Sequence, residues 1–414
     1  MSQNQPVRCV FVNRFFWPDL SATSQILSDL AFALADHGLD VHVITSRLTY
    51  EGDGDRLPSL AEHRGVTIHR VWTSGFGRDR LLGRAIDYIS FYVMAVLAAI
   101  RLARGGWLVI KTDPPLLSIP MRLAARLTGA RQVNWLQDVY PELAVLLGVK
   151  LAKGPIGKIL TRLRNASLAR SHTNVVIGET MAELLERQGI PSSRITVIHN
   201  WTDDRSIAPG EGLGADLRRS WGFAEDDLVV GYSGNLGRAH DLDTLVEAAA
   251  LLQAEGDSRI RFLFIGGGHL RASLDQVIGE RGLTNIHRQP YQPRELLPHS
   301  MAVPDVHWMS LRPELEGLIV PSKFYSAAAS GRPIVFVGSP DGQLARMIAA
   351  AQCGASVAIG EGAALAQLLR AWADDPAALV AMGQGSRALI VQNYTQHGSI
   401  DRWRQLLVGG EASA

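Results

Sequence analysis

The most informative part of this chain, residues 310–337, reads SLRPELEGLIVPSKFYSAAASGRPIVFV. Its apolar ends predict two buried strands, of which the first ends at Leu311. Between them the sequence predicts a small-residue helix from Phe324 to Ser330. Pro321 stands just before this helix and Gly331 just after it, which is the usual punctuation of a helix. A strand, a helix and a second strand are the repeating unit of a parallel α/β sheet.

The start of this helix has the composition of an anion site. Ser322 and Lys323 place free N–H groups beside a fixed cation, and a diphosphate suits such a site. Just upstream, Glu314 and Glu316 are placed to accept hydrogen bonds from sugar hydroxyls. The stretch therefore predicts a site that binds a nucleotide-sugar.

Apolar, β-branched runs recur along the chain, with helical patterns between most of them. They predict strands at Val7–Val12, Val41–Thr45, Val66–Trp72, Leu108–Lys111, Gln132–Leu136, Asn174–Ile177, Ile195–His199, Leu228–Tyr232, Ile260–Ile265, Asn285–Arg288, Val306–Met309, Ile334–Val337 and Ala355–Ile359. Asn200–Gly214 separates two series of strands and is polar and rich in Gly and Pro, which is typical of a linker. The predicted fold class is α/β, with two doubly wound, Rossmann-like domains that face each other across a cleft.

The length of 414 residues also suggests two domains. Residues 1–200 are predicted to form an acceptor-side domain, and residues 201–395 a nucleotide-sugar-binding domain. Residues 396–414 are predicted to form a C-terminal helix or tail that packs back on the first domain. The net charge of +1 offers no general attraction for nucleic acid.

The cysteines and the N-terminus indicate the compartment. Cys9 and Cys353 stand in apolar surroundings in separate halves of the chain, which is typical of reduced thiols in a cytoplasmic protein. The N-terminal residues MSQNQPVRCVFVN lack the long apolar run of a signal peptide. A cytoplasmic location is therefore predicted.

Two segments of the first half raise the question of a membrane surface. Tyr88–Ile100 is an uncharged run of thirteen residues, shorter than the about 20 that span a bilayer. It is typical of a buried helix or of a helix that dips into a membrane surface. Lys150–Arg170 contains six cations and no acid, which fits either a solvated helix face or a surface for anionic lipid.

The second predicted domain opens with a strand that runs into a loop of small residues. This loop offers Gly234, Asn235, Gly237, Arg238 and His240. Small residues let the backbone approach a ligand, and an arginine can bind phosphate. The alternative is an ordinary strand-to-helix turn, but Lys323 supplies a matching cation in the same half, which favours phosphate binding.

Three further glycines follow the next strand, at Gly266–Gly268. A nicotinamide-type fingerprint would need Gly or Ala where Arg271 stands, so no dinucleotide cofactor is predicted. Gly266 and Gly267 are expected to let a base or ribose pack against the main chain.

Two Asp-x-Asp triplets resemble metal-binding motifs but have better structural explanations. In the triplet Asp241-Leu242-Asp243, Asp241 stands where a helix N-cap is expected. Asp53 and Asp55 lie in a polar loop. No metal site is therefore predicted.

Polar residues also follow strands of the first predicted domain. Trp17, Asp19 and Ser21 follow the first strand, and Gln137 and Asp138 follow the strand that ends at residue 136. The carboxyl ends of parallel strands are where α/β sheets bind ligands. Asp138 is expected to orient an attacking hydroxyl or to stabilise positive charge on a sugar, and the other four to lie on the acceptor side. Helix N-capping is the alternative for Ser21 and Asp138.

With these motifs, the chain resembles glycosyltransferase family 4, a group of retaining enzymes with the GT-B fold. The resemblance is carried by FFWPDLSATSQ, NWLQDVYPE, VIHNWTD, GYSGNLGRAHDLDTL and PSKFYSAAASGRP, and it covers nearly the whole chain. It is closest to bacterial members that build surface polysaccharides, including the colanic-acid type.

The resemblance implies individual roles. Arg238 and Lys323 would bind the donor diphosphate, and Glu316 or Glu314 would contact the donor sugar. Gly266 would lie by the nucleobase.

In the first domain, the resemblance places Asp138 near the anomeric carbon or the acceptor. The chain departs from the family pattern at Ser326, where a ribose-binding Glu is usual, and Leu318 stands eight residues earlier. Ser326 is nevertheless assigned to the donor site.

Together these features predict a metal-independent, retaining glycosyltransferase of hexosyl or N-acetylhexosaminyl type. A UDP- or GDP-linked sugar would be its substrate, without any cofactor, and its acceptor would be a lipid-linked saccharide in surface polysaccharide synthesis. It would lie peripherally on the inner face of the plasma membrane, bound to anionic lipid. The other interpretations are a nucleotide-sugar 2-epimerase of the same fold and a non-catalytic scaffold that binds a nucleotide-sugar.

Overall fold

The structure is a computed structural model that describes residues 6–50, 56–77, 81–149 and 153–409. Asp53, Asp55 and Lys150 lie outside the described residues. The chain divides into two compact units: Met1–His199, Gly317–Ile319 and Ser399–Ala414 form the first, and Asn200–Glu316 and Val320–Gly398 form the second. The chain thus returns to the first unit twice, whereas the sequence analysis kept residues 201–395 in one domain.

The described part of the first unit contains an eight-stranded sheet. Its strands are β1 (Arg8–Val12), β2 (Asp40–Ser46), β3 (Leu60–His63), β4 (Val66–Val71), β5 (Trp107–Lys111), β6 (Arg131–Leu136), β7 (Thr173–Val176) and β8 (Ile195–Val197). Their order is β3-β4-β2-β1-β5-β6-β7-β8, and only the β3–β4 pair is antiparallel. The sequence analysis missed β3, because its residues LAEH form neither an apolar run nor a clear alternation.

Helices cover both faces of this sheet. They are α1 (Ala22–Asp36), α2 (Leu81–Leu102), α3 (Ser118–Thr128), α4 (Glu142–Leu146), α5 (Gly154–Ala169) and α6 (Glu179–Arg187). On one face, α2 packs on α3 and α3 packs on α5, so these three helices form one layer.

The second unit contains a six-stranded sheet whose strands are all parallel. In chain order its elements are α7 (Ala215–Ser220), β9 (Leu228–Asn235), α8 (Asp243–Ala254), β10 (Ile260–Gly267), α9 (Arg271–Arg281), β11 (Ile286–Gln289), α10 (Leu297–Ala302), β12 (Val306–Ser310), α11 (Lys323–Ala329), β13 (Ile334–Val337), α12 (Gln343–Ala351), β14 (Gly354–Val357), α13 (Gly362–Ala373) and α14 (Pro376–Asn393). The strand order is β11-β10-β9-β12-β13-β14. The prediction of two doubly wound, Rossmann-like α/β domains is confirmed.

Both sheets are covered on two faces, which explains why their strands read as continuous apolar runs. Every residue of β5 and of β13 is buried. Nevertheless β5 ends in Lys111, which is only 1 % exposed. A buried cation needs charged or polar partners. The end of β5 must therefore be surrounded by polar groups, unlike the rest of the strand.

Two late segments of the chain complete the first unit. The last helix, α15 (Gln396–Gly409), places the fully buried Trp403 ring 4.8 Å from the ring of Trp135 on β6. Earlier, the Val139 N–H donates to the Leu318 carbonyl at 2.9 Å, just after β6. The first unit therefore cannot be built from the first 200 residues alone.

Candidate active site

The carboxyl ends of β9 and β10 form a bare glycine surface, which comprises Gly234, Gly266 and Gly267. Gly234 pairs with Gly266, and their φ angles are +145° and +118°, which side chains rarely adopt. A Cβ at Gly266 would lie 2.4 Å from the Gly234 carbonyl oxygen. Only glycine fits here, so main chain is what this surface presents to a ligand.

Lys323 lies over the glycine surface. A Cβ at Gly234 would lie only 2.7 Å from Lys323 Cε, so the lysine side chain fills the space that a larger residue would take. Lys323 is exposed, but the protein atoms around its ammonium lower its pKa by desolvation. The structure therefore brings together a glycine and a cation that the sequence analysis assigned to one diphosphate site.

The helix that carries this lysine differs from the expected anion site. α11 spans seven residues, too few for a strong helix dipole. The N–H groups of Phe324 and Tyr325 already donate to the carbonyls of Pro321 and Ser322, at 3.2 and 3.4 Å. Positive charge on Lys323, rather than a row of free N–H groups, is what α11 offers a diphosphate. Ser322 is exposed at the N-cap, and its hydroxyl makes no capping bond.

The loop after β9 presents the other predicted cation. Asn235, the last residue of β9, and Arg238 are exposed, and Gly237 lies half-buried between them. The His240 N–H donates to the Gly237 carbonyl at 3.2 Å and closes the loop. Arg238 thus lies at the surface four positions after Gly234.

His240 fixes this loop. Its Nδ1 lies 2.9 Å from the Ser310 carbonyl oxygen, and its Nε2 lies 3.1 Å from the Tyr232 hydroxyl. Burial lowers the pKa of His240, which favours the neutral ring. Since both ring nitrogens face protein groups, His240 positions the loop, and its predicted contact with the donor stays a prediction.

The two predicted sugar-binding acids have different surroundings. Glu314 is exposed and pairs with Arg312. Glu316 is half-buried, and its Oε2 accepts the Gln343 N–H at the start of α12, at 3.3 Å. Burial raises the pKa of Glu316. Its Oε1 is buried against Gly342 and has no hydrogen-bond partner among the described residues, and the contact of Glu316 with a sugar hydroxyl stays a prediction.

Ser326, at the position where the resemblance implies a ribose-binding Glu, contacts another side chain of the second unit. Its hydroxyl lies 3.2 Å from the Thr202 hydroxyl. Thr202 in turn bridges to Thr395. These contacts tie α11 to the start and the end of the second unit, so Ser326 acts at least as a structural residue.

Tyr291 is a further candidate for the site, and it was not among the residues predicted from the sequence. It follows β11, and 61 % of it is exposed. A Cβ at Gly266 or Gly267 would lie 2.9 or 3.3 Å from its ring carbons. An exposed aromatic ring against bare main chain is a stacking surface for a planar ligand. Its loop reads QPYQP, and a tyrosine between two prolines was the available signal.

The first unit has its own polar cluster at the ends of β5 and β6. Lys111 donates from Nζ to the Thr23 carbonyl at 2.9 Å and lies 4.2 Å above the Trp135 ring. Burial lowers the pKa of Lys111 to about 7, although Asp113 and Asp138 oppose the shift. The Thr23 hydroxyl donates to the Asp113 carboxylate at 3.3 Å.

Asp138, at the end of β6, shares this cluster. Burial raises the pKa of Asp138 to about 6, Asp113 raises it further, and Lys111 opposes the change. A cavity of about 20 Å³ is lined by Lys111, Asp138 and Tyr140 and has room for one water molecule. The sequence analysis named Asp138 but not Lys111 or Asp113, because a lysine at the end of an apolar strand ordinarily indicates the edge of a core.

The other predicted acceptor-side residues have local partners. Asp19 is buried, and its carboxylate accepts the N–H groups of Ser21, at 2.8 Å, and of Tyr50. Trp17 stacks on His63, with ring centroids 3.9 Å apart. Trp17 and Asp19 therefore hold their loop, and their role toward an acceptor stays a prediction.

Ser21 and Gln137 complete the predicted acceptor side. Ser21 is the N-cap residue of α1, but its hydroxyl makes no capping bond. Gln137 is half-buried, and its N–H donates to the Thr112 hydroxyl at 3.2 Å.

The Asp-x-Asp triplet of the second unit has a structural partner. Asp241 accepts the Thr244 N–H at 3.1 Å and so caps α8 from one residue before the formal N-cap, Leu242. In the described parts of the chain, no group of three or more His, Cys, Asp or Glu side chains is placed to hold a metal ion.

The chain belongs to the glycosyltransferases of family 4, and its fold is that of the GT-B enzymes. Residues 22–201 match the glycosyl transferase 4-like domain, and residues 215–389 match the glycosyl transferases group 1. Together the two matches cover most of the chain. They do not favour the alternatives of an epimerase or a non-catalytic scaffold.

Curated relatives have similar lengths. WcaI of Escherichia coli K12, described as a colanic acid biosynthesis glycosyl transferase, is 26 % identical over 328 residues, which cover 76 % of this chain and 79 % of WcaI. WbjE of Pseudomonas aeruginosa, described as a glycosyltransferase, is 26 % identical over 329 residues, which cover 79 % of this chain and 80 % of WbjE.

Solved structures show the same fold at low identity. Sucrose-phosphate synthase from Thermosynechococcus elongatus matches with a TM-score of 0.78 and 15 % identity, over 99 % of this chain and all of that chain. HepE from Anabaena, solved with UDP-glucose, matches with a TM-score of 0.72 and 15 % identity, over 97 % of this chain and all of that chain.

Proposed function

We propose that the protein is a retaining, metal-independent glycosyltransferase of bacterial surface polysaccharide synthesis. It would move a hexosyl or N-acetylhexosaminyl group from a nucleotide-sugar to a lipid-linked saccharide. The observation that carries the proposal is the position of Lys323 over the glycine surface at the ends of β9 and β10. A cation beside bare main chain at the carboxyl ends of parallel strands suits a diphosphate.

The relatives support the finer parts of the proposal. HepE has been solved with UDP and with UDP-glucose, which supports a UDP-linked donor. The description of WcaI supports polysaccharide synthesis. A lipid-linked acceptor accords with that pathway class, and the nucleotide-sugar is a substrate rather than a cofactor.

The proposed reaction replaces one bond of the anomeric carbon. The bond to the diphosphate oxygen breaks, the acceptor oxygen attacks from the same face, and the acceptor proton passes to the departing phosphate. Arg238 and Lys323 stabilise the negative charge on the diphosphate, and losing such a group costs roughly 3–4 kcal/mol in the transition state. Glu316 accepts a hydrogen bond from the donor sugar, and Asp138 orients the acceptor hydroxyl.

Product analysis tests the proposal. The purified protein is incubated with UDP- and GDP-sugars and with lipid-linked saccharides extracted from bacterial membranes, while release of nucleoside diphosphate is measured. We expect release from one donor that depends on the acceptor, and an NMR spectrum of the product in which the donor's anomeric configuration is kept. An inverted configuration would contradict retention. Donor-induced thermal stabilisation, about 2.7 kcal/mol at 100 times Kd, without release would indicate a scaffold.

Chelation is expected to leave activity unchanged. Lys323 and Arg238 supply the positive charge that a metal would otherwise bring to the diphosphate, and Asp241 already caps α8. Turnover is measured with and without EDTA, after removal of bound metal by dialysis. Loss of activity with EDTA that manganese or magnesium restores would overturn metal independence.

Replacing Tyr291 by alanine is expected to raise the donor KM about tenfold with little change in kcat. Stacking of a base on an aromatic ring is worth roughly 1–3 kcal/mol, and a contact made equally before and during the reaction affects KM alone. Tyr291→Phe, which keeps the ring, is the matched control and should resemble the native protein. Equal donor KM values for the alanine variant and the native protein would show that the ring does not contact the donor.

A further inference from the structure

One layer of helices in the first unit has an apolar outer side. α2 carries the exposed residues Leu82, Ile86, Ile89, Val93 and Leu97, whose spacing of three or four residues places them in one stripe. Leu82 is 75 % exposed and Ile89 is 59 % exposed. Among the described residues, α2 therefore has packing partners on one side only.

The opposite side of α2 belongs to the core. Phe91, Ala95 and Ala99 are fully buried and pack with β1 residues such as Val10. By length and composition, residues Leu82–Leu102 could cross a membrane. Because the inner side of α2 is packed against the sheet, the outer stripe alone is available to a partner. From the sequence, Tyr88–Ile100 could be a core helix or a membrane-surface helix. In the structure this helix has a buried face that packs in the core and an exposed apolar face.

The neighbouring helices extend the stripe. Leu123 and Leu127 on α3 are exposed, and so are Ile156, Ile159 and Leu163 on α5. Since α2 packs on α3 and α3 on α5, these residues continue the apolar side of one layer. We call the exposed side of α2, α3 and α5 the helical face.

The exposed charges of the helical face are positive. Arg101, Arg126, Lys153, Lys158 and Arg162 are all exposed. The described residues of the three helices include one acid, Asp87, which is 2 % exposed and lies 3.6 Å from the Arg14 guanidinium. The face therefore combines an apolar stripe with cations.

We infer that the helical face binds the surface of an anionic lipid bilayer. Apolar side chains can enter the boundary between headgroups and acyl chains, while the cations contact anionic headgroups, as in interfacial amphipathic helices. Charge complementarity argues for this partner over a second copy of the chain, whose helical face would present the same cations. The inference does not depend on the donor or the acceptor of the proposed reaction.

Vesicle binding by the full chain tests this inference. Co-sedimentation is measured with phosphatidylcholine vesicles and with vesicles that also contain phosphatidylglycerol. We expect binding to the anionic vesicles at least about tenfold tighter, since each cation near an anionic surface contributes about fivefold. High salt should release much of the protein, because it shortens the reach of these charges.

Matched variants assign the binding to the helical face. Ile89→Ser with Val93→Ser and, separately, Lys158→Gln with Arg162→Gln should each weaken binding to anionic vesicles at least about tenfold. Val380→Ser with Val391→Ser, two exposed valines of α14 in the second unit, should bind like the native chain. Thermal unfolding shows that each variant is folded.

Three results would overturn the inference. The first is that the protein binds both vesicle types equally, and the second is that no change on the helical face affects binding. The third is that the protein does not bind vesicles. The protein could also self-associate without lipid. If Ile89→Ser with Val93→Ser abolished that self-association, a second copy of the chain would be what covers this face.

Discussion

Replacing Lys323 by alanine is expected to lower kcat for sugar transfer by about 10²–10³-fold. The lysine lies over Gly234, where the proposed diphosphate departs, and removal of a group that stabilises growing negative charge costs roughly 3–4 kcal/mol. Phe324 and Tyr325 remain buried and keep α11 in place, so the fold should persist. Release of nucleoside diphosphate at saturating donor measures the effect.

Two further variants make this result specific. Arg238→Ala should also lower turnover strongly, because it is proposed to act on the same diphosphate. Arg281→Ala removes an exposed cation at the end of α9 and should retain native turnover. If Lys323→Ala and Arg238→Ala both turn over like Arg281→Ala, the diphosphate lies elsewhere.

Replacing Asp138 by asparagine is expected to lower transfer about 10²-fold or more, with donor affinity unchanged. Asp138 is proposed to orient the acceptor hydroxyl, and a misplacement of a reacting group by about 1 Å costs about 10²-fold. Asp138 belongs to the first unit, whereas the proposed donor residues belong to the second. Donor titration by thermal shift and transfer kinetics separate the two effects. Asp226→Asn, a change at an exposed acid, is the control, and weaker donor binding with normal transfer at saturation would refute the assignment.

The same carboxylate predicts a pH dependence. Because burial raises the pKa of Asp138 to about 6, native kcat/KM should fall as the pH drops below about 6, and the asparagine variant should lack this acidic limb. A pKa raised in the folded state also means that ionised Asp138 destabilises the fold above pH 6. Asp138→Asn is therefore not expected to unfold earlier at neutral pH, and thermal melting checks this.

The architecture could be predicted from the sequence, because the buried strands of a parallel sheet form continuous apolar runs. The predicted strand ends lie within two residues of the observed ends, except that β9 continues three residues further, to Asn235. β3 was missed because an antiparallel edge strand can be short and polar. The donor region was also predictable, since Gly234 lies at the carboxyl end of β9 and Lys323 begins the helix that follows β12.

The rest of the candidate site depends on tertiary packing. Tyr291 comes from a loop whose ring reaches glycines of another strand, which no local pattern shows. Conversely, Trp17 and Asp19 looked available in a polar loop, but His63 and the main chain of that region are their partners. Lys111 looked like a strand end, and its contact with Thr23 of α1 appears only in the fold.

The chain returns to the first unit twice, and this determines where a chimera with a related glycosyltransferase can be joined. A chimera cut once, near residue 200, would import a foreign α15 and lose the native match between Trp403 and Trp135. It would also replace Leu318, which bonds to the main chain beside Asp138. Exchange of donor preference therefore calls for an insertion between His199 and Ser399 that keeps residues 317–319 of the host. The second unit is therefore an insertion joined to the first unit at four junctions rather than the C-terminal half of a tandem.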